Sequence, residues 1–261
     1  MSKQSTEKLR QKYIQNPPEG MTADEEGFTG RMQEQREKAR AARKTTNYMG
    51  ADATVYEELP VLKATEFTGY TKTSDASEII SLTTEDAVVQ TLSEGDVGTI
   101  ITLKTPFYAT KGGQEADCGI ISSENAEFEV RDVIALANGV TGHVGIVTKG
   151  QFVNGDTVNL QINELQRKST AKNHSATHLL QAALRQVLGD HVEQKGSFVN
   201  ADRLRFDFSH FEAMSTEEIR KVERIVNEKI EESIPVVTDI MNIDEARKSG
   251  AMALFGEKYG D

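Results

Sequence analysis

The sequence predicts an α+β fold: an N-terminal helical linker, a small antiparallel β-barrel and a C-terminal α+β domain. Three observations support this prediction. Residues 1–46 contain one long basic stretch of helical character, residues 47–165 alternate short β-rich runs with turn sequences, and residues 166–261 alternate helical and strand patterns. The chain has 261 residues, 37% hydrophobic and 27% charged, which is enough to bury a substantial core.

The charge is unevenly distributed. The formal net charge is −11, with 10 Lys/Arg against 7 Asp/Glu in residues 1–46, 6 against 18 in residues 47–165, and 14 against 16 in residues 166–261. The acidic total argues against long-range steering onto nucleic acid, although it leaves local basic patches on the flanks possible. The single cysteine, Cys118, cannot form an internal disulfide, which favours a reducing compartment.

The localisation prediction is cytoplasmic. No apolar run approaches the roughly 18 residues of a membrane helix, so no membrane association is expected. The first thirty residues are polar and lack the apolar core of a signal peptide.

The linker is predicted from a helix-start signal. Thr22-Ala23-Asp24-Glu25 has the pattern of a capping box, and a helix from Asp24 to Lys44 follows it. Six basic residues stand against two acidic ones between residues 31 and 44. We favour a solvated helix joining two domains; the alternative is a helix whose basic face lies against phosphates.

The barrel is predicted from short strands and their turns. The β-rich runs are Val61–Ala64, Ala87–Gln90, Gly98–Leu103, Phe128–Val130 and Gly145–Val147. Turn sequences stand between strands at Glu94-Gly95-Asp96, Ala137-Asn138-Gly139 and Asn154-Gly155-Asp156. Several short strands at this spacing favour a small antiparallel barrel.

The C-terminal third mixes helices and strands. We expect a helix capped by Asn173 and running to about Leu188, with Leu180, Leu184, Val187 and Leu188 facing a core. Alternation predicts a strand over residues 204–208. The remaining predictions are a helix capped by Ser215 with Ile219, Val222, Val226 and Ile230 on one face, a strand at Ile234–Ile240, and a short helix starting at Asp244.

A histidine pair is the first chemical candidate. His174 and His178 stand four residues apart on a predicted helix, so both imidazoles project from one face, as in helical zinc sites. Two ligands do not complete a zinc site, and an ordinary helix surface is the more common explanation of such a pair. His143, His191 and His210 show no comparable pairing in the sequence.

Two loops are the other candidates. Gly112-Gly113-Gln114 follows two aromatic residues, and a double glycine permits close backbone approach to a ligand; a tight barrel turn is the alternative. His191–Phe198 forms a polar turn after the histidine helix. It either presents Gln194 and the amides of Gly196 and Ser197 beside the histidines or is only a connector.

Taken together, these blocks resemble the editing region of alanyl-tRNA synthetases. The resemblance covers about residues 22–261, and the order and spacing of the blocks make it more specific than any one of them. The matching blocks are Phe107–Gly119, Asn173–Leu180, Val192–Ser197, Leu204–Phe208 and Ala253–Asp261, preceded by a linker-like stretch at Asp24–Arg40.

The resemblance implies a fold and a reaction. It implies that residues 166–261 form an editing domain of the threonyl/alanyl-tRNA synthetase type, which hydrolyses serine or glycine from wrongly charged tRNA(Ala) at its 3′ acceptor end. His174 and His178 would be two of four Zn²⁺ ligands, Gln194 would line the pocket, and Gly112, Gly113 and Gln114 would shape it. ATP and Mg²⁺ would belong to the aminoacylation half, outside these residues.

Two departures from the family pattern qualify this expectation. Cys118 stands where the family often has threonine. The chain stops at Asp261, before the Cys-x-x-x-His motif that completes the family's zinc site. We therefore expect a fragment, with oligomer contacts in a missing C-terminal region. The alternatives are a non-catalytic tRNA-binding module, a free-standing editing hydrolase, and an unrelated α+β protein.

Overall fold

The chain divides into two compact units, Met1–Glu57 and Glu58–Asp261. The computed structural model describes residues 53–57, 59, 63–237, 239 and 241–250. In the first unit it describes a short 3₁₀ helix at Ala53–Glu57. The predicted basic helix from Asp24 to Lys44 lies outside the described residues, as does the Ala253–Asp261 block.

Strands dominate the first half of the second unit. Its described part contains β1 (Glu66–Phe67), β2 (Ser74–Thr83), β3 (Val88–Val89), β4 (Thr91–Ser93), β5 (Val97–Thr102), β6 (Lys104–Thr105), β7 (Gly119–Ser122), β8 (Glu127–Ala135), β9 (Thr141–Lys149), β10 (Gln151–Val153), β11 (Thr157–Ile162), β12 (Gln194–Val199) and β13 (Leu204–Phe208). The helices are α1 (Glu164–Leu188), α2 (Thr216–Glu231) and α3 (Ile243–Lys248), with a 3₁₀ turn at Ala137–Gly139. The fold is therefore α+β.

Six of these strands form a closed antiparallel barrel, which confirms the barrel prediction. The order around the ring is β11, β7, β8, β9, β5, β2 and back to β11. Strand β2 closes the ring because its first half pairs with β11, Glu78 facing Thr157, and its second half pairs with β5, Ile79 facing Thr102. Closure gives each of these six strands a partner strand on both sides.

The barrel interior is a dense apolar core. Three aromatic side chains, Phe107, Phe128 and Phe152, have no solvent-exposed surface. They pack with aliphatic residues from every strand of the ring, including Ile79, Ile100, Ile121, Val133, Val147 and Leu160. The three predicted turn sequences lie at strand ends. In the predicted run Val61–Ala64, Lys63 and Ala64 are not strand, and the other two residues lie outside the described part.

Helix α1 begins ten residues earlier than predicted. Its N-cap is Asn163, whose side chain accepts a hydrogen bond from the backbone N–H of Gln166. Asn173, the predicted cap, lies inside the helix, and its carboxamide donates instead to the carbonyl oxygens of Asn200 (2.8 Å) and Ala201 (3.2 Å). Asn163-Glu164-Leu165-Gln166 has the spacing of a capping sequence, so a signal for the true start was present.

A second core lies between α1, α2 and the β12–β13 hairpin. Ala183, Leu184, Val192 and Val222 are buried in it, and the predicted apolar face of α1 packs there. The Ser215 capping box is confirmed, with Glu218 as its partner. Of the predicted face of α2, Val222 and Val226 pack into this core, whereas Ile219 and Ile230 are 43% and 52% exposed.

The predicted strand at Ile234–Ile240 is wrong for the residues that the structure describes. Residues 234–237 and 239 carry no strand pairing, and Val236 and Val237 are 76% and 73% exposed. A β-branched run becomes a strand only when a partner strand satisfies its backbone groups. The short final helix is present as α3.

Among the described helices, none is both long enough and apolar enough to span a membrane.

Candidate functional site

A cavity of about 390 Å³ lies between three segments of the second unit. One wall is the loop between β6 and β7, another is the middle of α1, and the third is strand β12. The residues that line it are Gly112, Gly113, His174, Thr177, His178, Gln181, Gln194, Lys195, Gly196, Ser197 and Val199. The structure thus brings together three motifs that are distant in the sequence.

The double glycine is required by its backbone conformation and by a close approach. Gly112 and Gly113 have φ of +63° and +88°, in the left-handed region that favours glycine. A Cβ on Gly113 would lie 2.4 Å from Ser197 Oγ and 2.6 Å from its carbonyl oxygen, whereas a Cβ on Gly112 would meet nothing within 4 Å. Gly113 therefore lets the loop lie against β12.

Backbone hydrogen bonds fix this contact. The N–H of Val199 donates to the carbonyl of Gly113 at 2.8 Å, and the N–H of Glu115 donates to the carbonyl of Val199 at 2.9 Å. Gln114 lies between these bonds and forms a parallel bridge with Val199. The loop is therefore both a tight turn and a cavity wall, so the two interpretations of the double glycine coexist.

The two histidines stack on the cavity side of α1. Their ring centroids are 5.3 Å apart and the ring planes differ by 14°. Nδ1 of His174 donates to Oε1 of Gln114 at 2.6 Å. Burial, and secondarily the neighbouring His178, lower the pKa of His174 below its usual value. The imidazole of His174 is therefore favoured in its neutral form, with one ring nitrogen free of a proton.

Two further helix residues reach the cavity that the sequence analysis missed. Thr177 and Gln181 are buried and lie on the same face of α1 as the histidines. They stand three and seven positions after His174, so the spacing of one helical face would have identified them.

The hairpin wall is irregular where it meets the cavity. The β12–β13 register shifts between Gln194 and Gly196, which places a bulge at Lys195. Bulges redirect side chains next to functional sites. The structure places Gln194, Gly196 and Ser197 beside the histidines, as one of the two sequence interpretations predicted.

The described part of the cavity wall carries little formal charge. Among the described residues that line it, none has a carboxylate, and Lys195 is the only lysine or arginine, ion-paired with Glu193 at 2.8 Å. Among these described side chains, the neutral imidazole of His174 is suited to accept a proton.

The donor set fits zinc in part. Two imidazole nitrogens suit Zn²⁺, which takes four ligands in structural sites and three protein ligands in catalytic ones. The described residues contain no group of three or more His, Cys, Asp or Glu side chains placed to hold a metal ion. Cys118 does not line the cavity: its thiol donates to Gln166 Oε1 at 2.5 Å, and burial raises its pKa.

The other histidines differ from the sequence expectation. His191 and His210 are paired, with Nε2 and Nδ1 2.8 Å apart and the rings stacked at 5.1 Å. This pair could not be predicted from the sequence, because the pairing of β12 with β13 is what brings His191 and His210 together. His143 is fully buried in the barrel, where Thr105 Oγ1 donates to its Nε2 at 2.7 Å and its Nδ1 donates to the Ile100 carbonyl at 2.8 Å.

The comparisons with known proteins place the chain in a family. The chain belongs to the class II (A) tRNA synthetases, whose family model matches residues 13–166, more than half of its length. This confirms the family resemblance seen in the sequence.

Three relatives are alanine–tRNA ligases. Alanine–tRNA ligase 1 of Lachnoclostridium phytofermentans is 58% identical over 242 residues, covering 93% of this chain and 28% of the relative. The enzyme of Pseudomonas fluorescens is 49% identical, covering 92% and 27%, and that of Lysinibacillus sphaericus is 48% identical, covering 93% and 26%. The chain thus spans little more than a quarter of the length of these relatives.

Proposed function

We propose that this chain is the editing portion of an alanine–tRNA ligase, which hydrolyses the ester that joins serine or glycine to the 3′ end of tRNA(Ala). The proposed partner is tRNA(Ala), and the proposed metal is Zn²⁺. Residues 166–261 would form the editing domain, and along the sequence it would follow the linker at 1–46 and the barrel at 47–165. ATP-dependent charging with alanine would belong to parts of a longer protein outside these residues.

One observation carries this proposal. The glycine loop, the His174–His178 pair and Gln194 come from three distant segments and line one cavity of about 390 Å³. That volume falls at the small end of the range for small-molecule sites, which suits the aminoacylated end of a nucleic acid. The similarity to alanine–tRNA ligases over 93% of the chain supports the same substrate class.

The lining residues suit ester hydrolysis. The reaction needs a water to attack the ester carbonyl and donors for the charge that develops on its oxygen. Zinc, when bound, lowers the pKa of a coordinated water. Among the chain's own groups, His174 and His178 would hold the metal, and the carboxamide of Gln194 would donate to the aminoacyl group.

The similar sizes of alanine, glycine and serine argue for a second selection step after activation. A pocket that activates alanine rejects glycine or serine weakly, because one small group changes binding by only about 1–3 kcal/mol. Polar groups that recognise the serine hydroxyl would give the discrimination that activation lacks. The polar neutral candidates among the described residues of the cavity wall are Thr177, Gln181, Gln194 and Ser197.

The first experiment measures zinc by elemental analysis and hydrolysis of serine-charged tRNA(Ala). Both are measured on this chain and on a longer chain of the relatives' length. Metal and activity in the longer chain support the proposal, and their presence in the short chain as well means that a group within these 261 residues completes the site. Absence of deacylation from both chains would overturn it.

Variants test the individual roles. Replacing His174 and His178 together by alanine is expected to abolish deacylation in the longer chain without unfolding it. Gln194→Ala is expected to slow deacylation without lowering zinc content. Gln186→Ala, an exposed glutamine on the same helix as the histidines and outside the cavity wall, is the matched control.

The second candidate function is tRNA binding without turnover. The absence of a third metal-ligand side chain among the described residues favours it. A chain that binds tRNA(Ala), holds no zinc and leaves the ester intact, while the longer chain also fails to deacylate, would establish this alternative.

A further inference from the structure

Gln114 was predicted to shape the cavity, but its side chain contacts a residue of the cavity wall rather than the cavity itself. It is buried, with 7% of its surface exposed, and it is not among the residues that line the cavity. Its carboxamide contacts His174, which does line the cavity. Any effect of Gln114 on chemistry in the cavity therefore passes through that imidazole.

The hydrogen bond selects one tautomer of His174. A carboxamide oxygen only accepts hydrogen bonds, so the 2.6 Å contact between Oε1 and Nδ1 requires a hydrogen on Nδ1. In a neutral imidazole the other nitrogen, Nε2, then carries the lone pair. A histidine side chain in water favours the opposite tautomer, with the hydrogen on Nε2, so the contact with Gln114 is what favours the Nδ1–H form of His174.

The position of Gln114 is held by its backbone. Its N–H donates to the carbonyl of Lys111 at 3.1 Å, and the bridge to Val199 anchors it on β12. The glycine at 113 permits this approach, because a side chain there would collide with Ser197. The glycine loop thus delivers one acceptor to one ring nitrogen, 60 positions away in the sequence.

We propose that Gln114 is a positioning residue that holds His174 as its Nδ1–H tautomer, leaving the Nε2 lone pair for a divalent cation of the zinc class in the cavity. This inference deepens the proposed function and rests on it for the identity of the cation. Partners of this kind on the far nitrogen of metal-binding histidines typically change metal affinity by about 10–100-fold.

The tautomer is read directly by nuclear magnetic resonance of the full metal-free chain labelled with ¹⁵N-histidine. Only five histidines contribute signals. Long-range proton–nitrogen correlation at about pH 8, above the ordinary histidine pKa of about 6.5, distinguishes protonated from bare ring nitrogens. The signals of His174 are assigned by their loss in His174→Ala.

We expect the Nδ1–H form for His174 in the unsubstituted chain. Gln114→Leu removes the acceptor and is expected to move His174 to the Nε2–H form, whereas Gln114→Glu keeps an acceptor and a hydrogen on Nδ1. Unchanged signals from buried His143 show that each variant folds. An Nε2–H form in the unsubstituted chain, or no change in Gln114→Leu, overturns the inference.

Zinc titration gives the second readout. Gln114→Leu is expected to weaken zinc binding by about 10–100-fold and Gln114→Glu to restore it. Equal affinity of the unsubstituted and Leu chains overturns the positioning role. If neither this chain nor the longer one binds zinc, the metal role in the proposed function fails, and the spectrum alone decides the tautomer assignment.

Discussion

Arg167, in the first turn of α1, donates its Nε to Oδ1 of Asp117 at 2.8 Å and so ties the long helix to the loop that precedes β7. The guanidinium also donates to the carbonyls of Gly69 (3.0 Å) and Pro106 (2.9 Å). Asp117 accepts in turn from the N–H of Tyr108 at 2.6 Å. The pair thereby fixes the start of the histidine helix against the loop that carries the double glycine.

Breaking this pair is expected to destabilise the protein strongly. Arg167→Met leaves a carboxylate that is 6% exposed without its charge partner. Removal of one member of a buried ion pair costs about 3–5 kcal/mol. Denaturant unfolding measures the change. Arg131→Met, which removes the exposed pair with Glu129, is the control and is expected to cost about 1 kcal/mol or less. Equal losses in the two variants would contradict a special role for Arg167.

The two glycines make a matched pair of substitutions. Gly112→Ala introduces only the strain of a non-glycine residue in a left-handed backbone conformation, which is expected to lower the free energy of unfolding by about 1–2 kcal/mol. Gly113→Ala adds the same strain and a collision with the backbone of Ser197. We expect a larger loss of unfolding free energy and of serine-tRNA deacylation for Gly113→Ala. If Gly112→Ala proves as damaging, conformation rather than close approach is what the loop requires.

His143 is expected to make stability depend on pH. Burial lowers its pKa to about 4, whereas the unfolded chain takes up its proton near pH 6.5. The unfolded state therefore binds the proton first as the pH falls. The stabilisation from the neutral ring is complete above about pH 6.5 and decreases toward pH 4, by about 3 kcal/mol in all.

Two measurements check this dependence. A magnetic resonance titration should show His143 neutral down to about pH 5. The unfolding free energy of His143→Gln should fall less than that of the unsubstituted chain over the same window. A ring that titrates near pH 6.5 in the folded chain would contradict the prediction.

The hydrogen bonds of Asn173 are expected to stabilise the packing of α1 against the turn of the hairpin. Asn173→Ala removes two donors to the carbonyls of Asn200 and Ala201. The expected loss is about 1–3 kcal/mol at about 0.5–1.5 kcal/mol per hydrogen bond. Lys172→Ala, an exposed neighbour on the same helix, should change the unfolding free energy by no more than about 0.5 kcal/mol. Thermal unfolding of both variants gives the comparison.

Local sequence patterns predicted the turns and the capping box of α2 because interactions between residues close in the sequence determine these features. The turn at Asn154-Gly155-Asp156 and the capping box at Ser215 place their groups within a few residues, so the sequence contains the whole signal. Strand β2 was not predicted because it changes partner between Glu78 and Ile79. Its burial pattern alternates at first and is nearly continuous afterwards, and no single period describes it.

The site shows the complementary limit. The motifs identified its glycine loop, its histidine pair and Gln194, yet the pairing of Gln114 with His174 joins residues 60 positions apart. The pairing of His191 with His210 likewise depends on the hairpin. The exposed run at Val236 and Val237 looked like a strand because β-branched residues indicate a pleated surface, whereas strand formation also requires a partner.

The cavity has three walls from separate segments of the chain, so a ligand that fills it would hold these segments together. Ser197 and Gly112 lie 85 positions apart in the sequence and face the same space. A small molecule that fills the cavity would contact the barrel loop, the helix and the hairpin at once, and the unfolded chain would offer it no equivalent site. At a hundred times its Kd, such a molecule would raise the unfolding free energy by about 2.7 kcal/mol. Thermal shift can therefore test candidate cavity ligands without any turnover, including the non-reacting aminoacyl-adenosine analogues that the proposed function calls for.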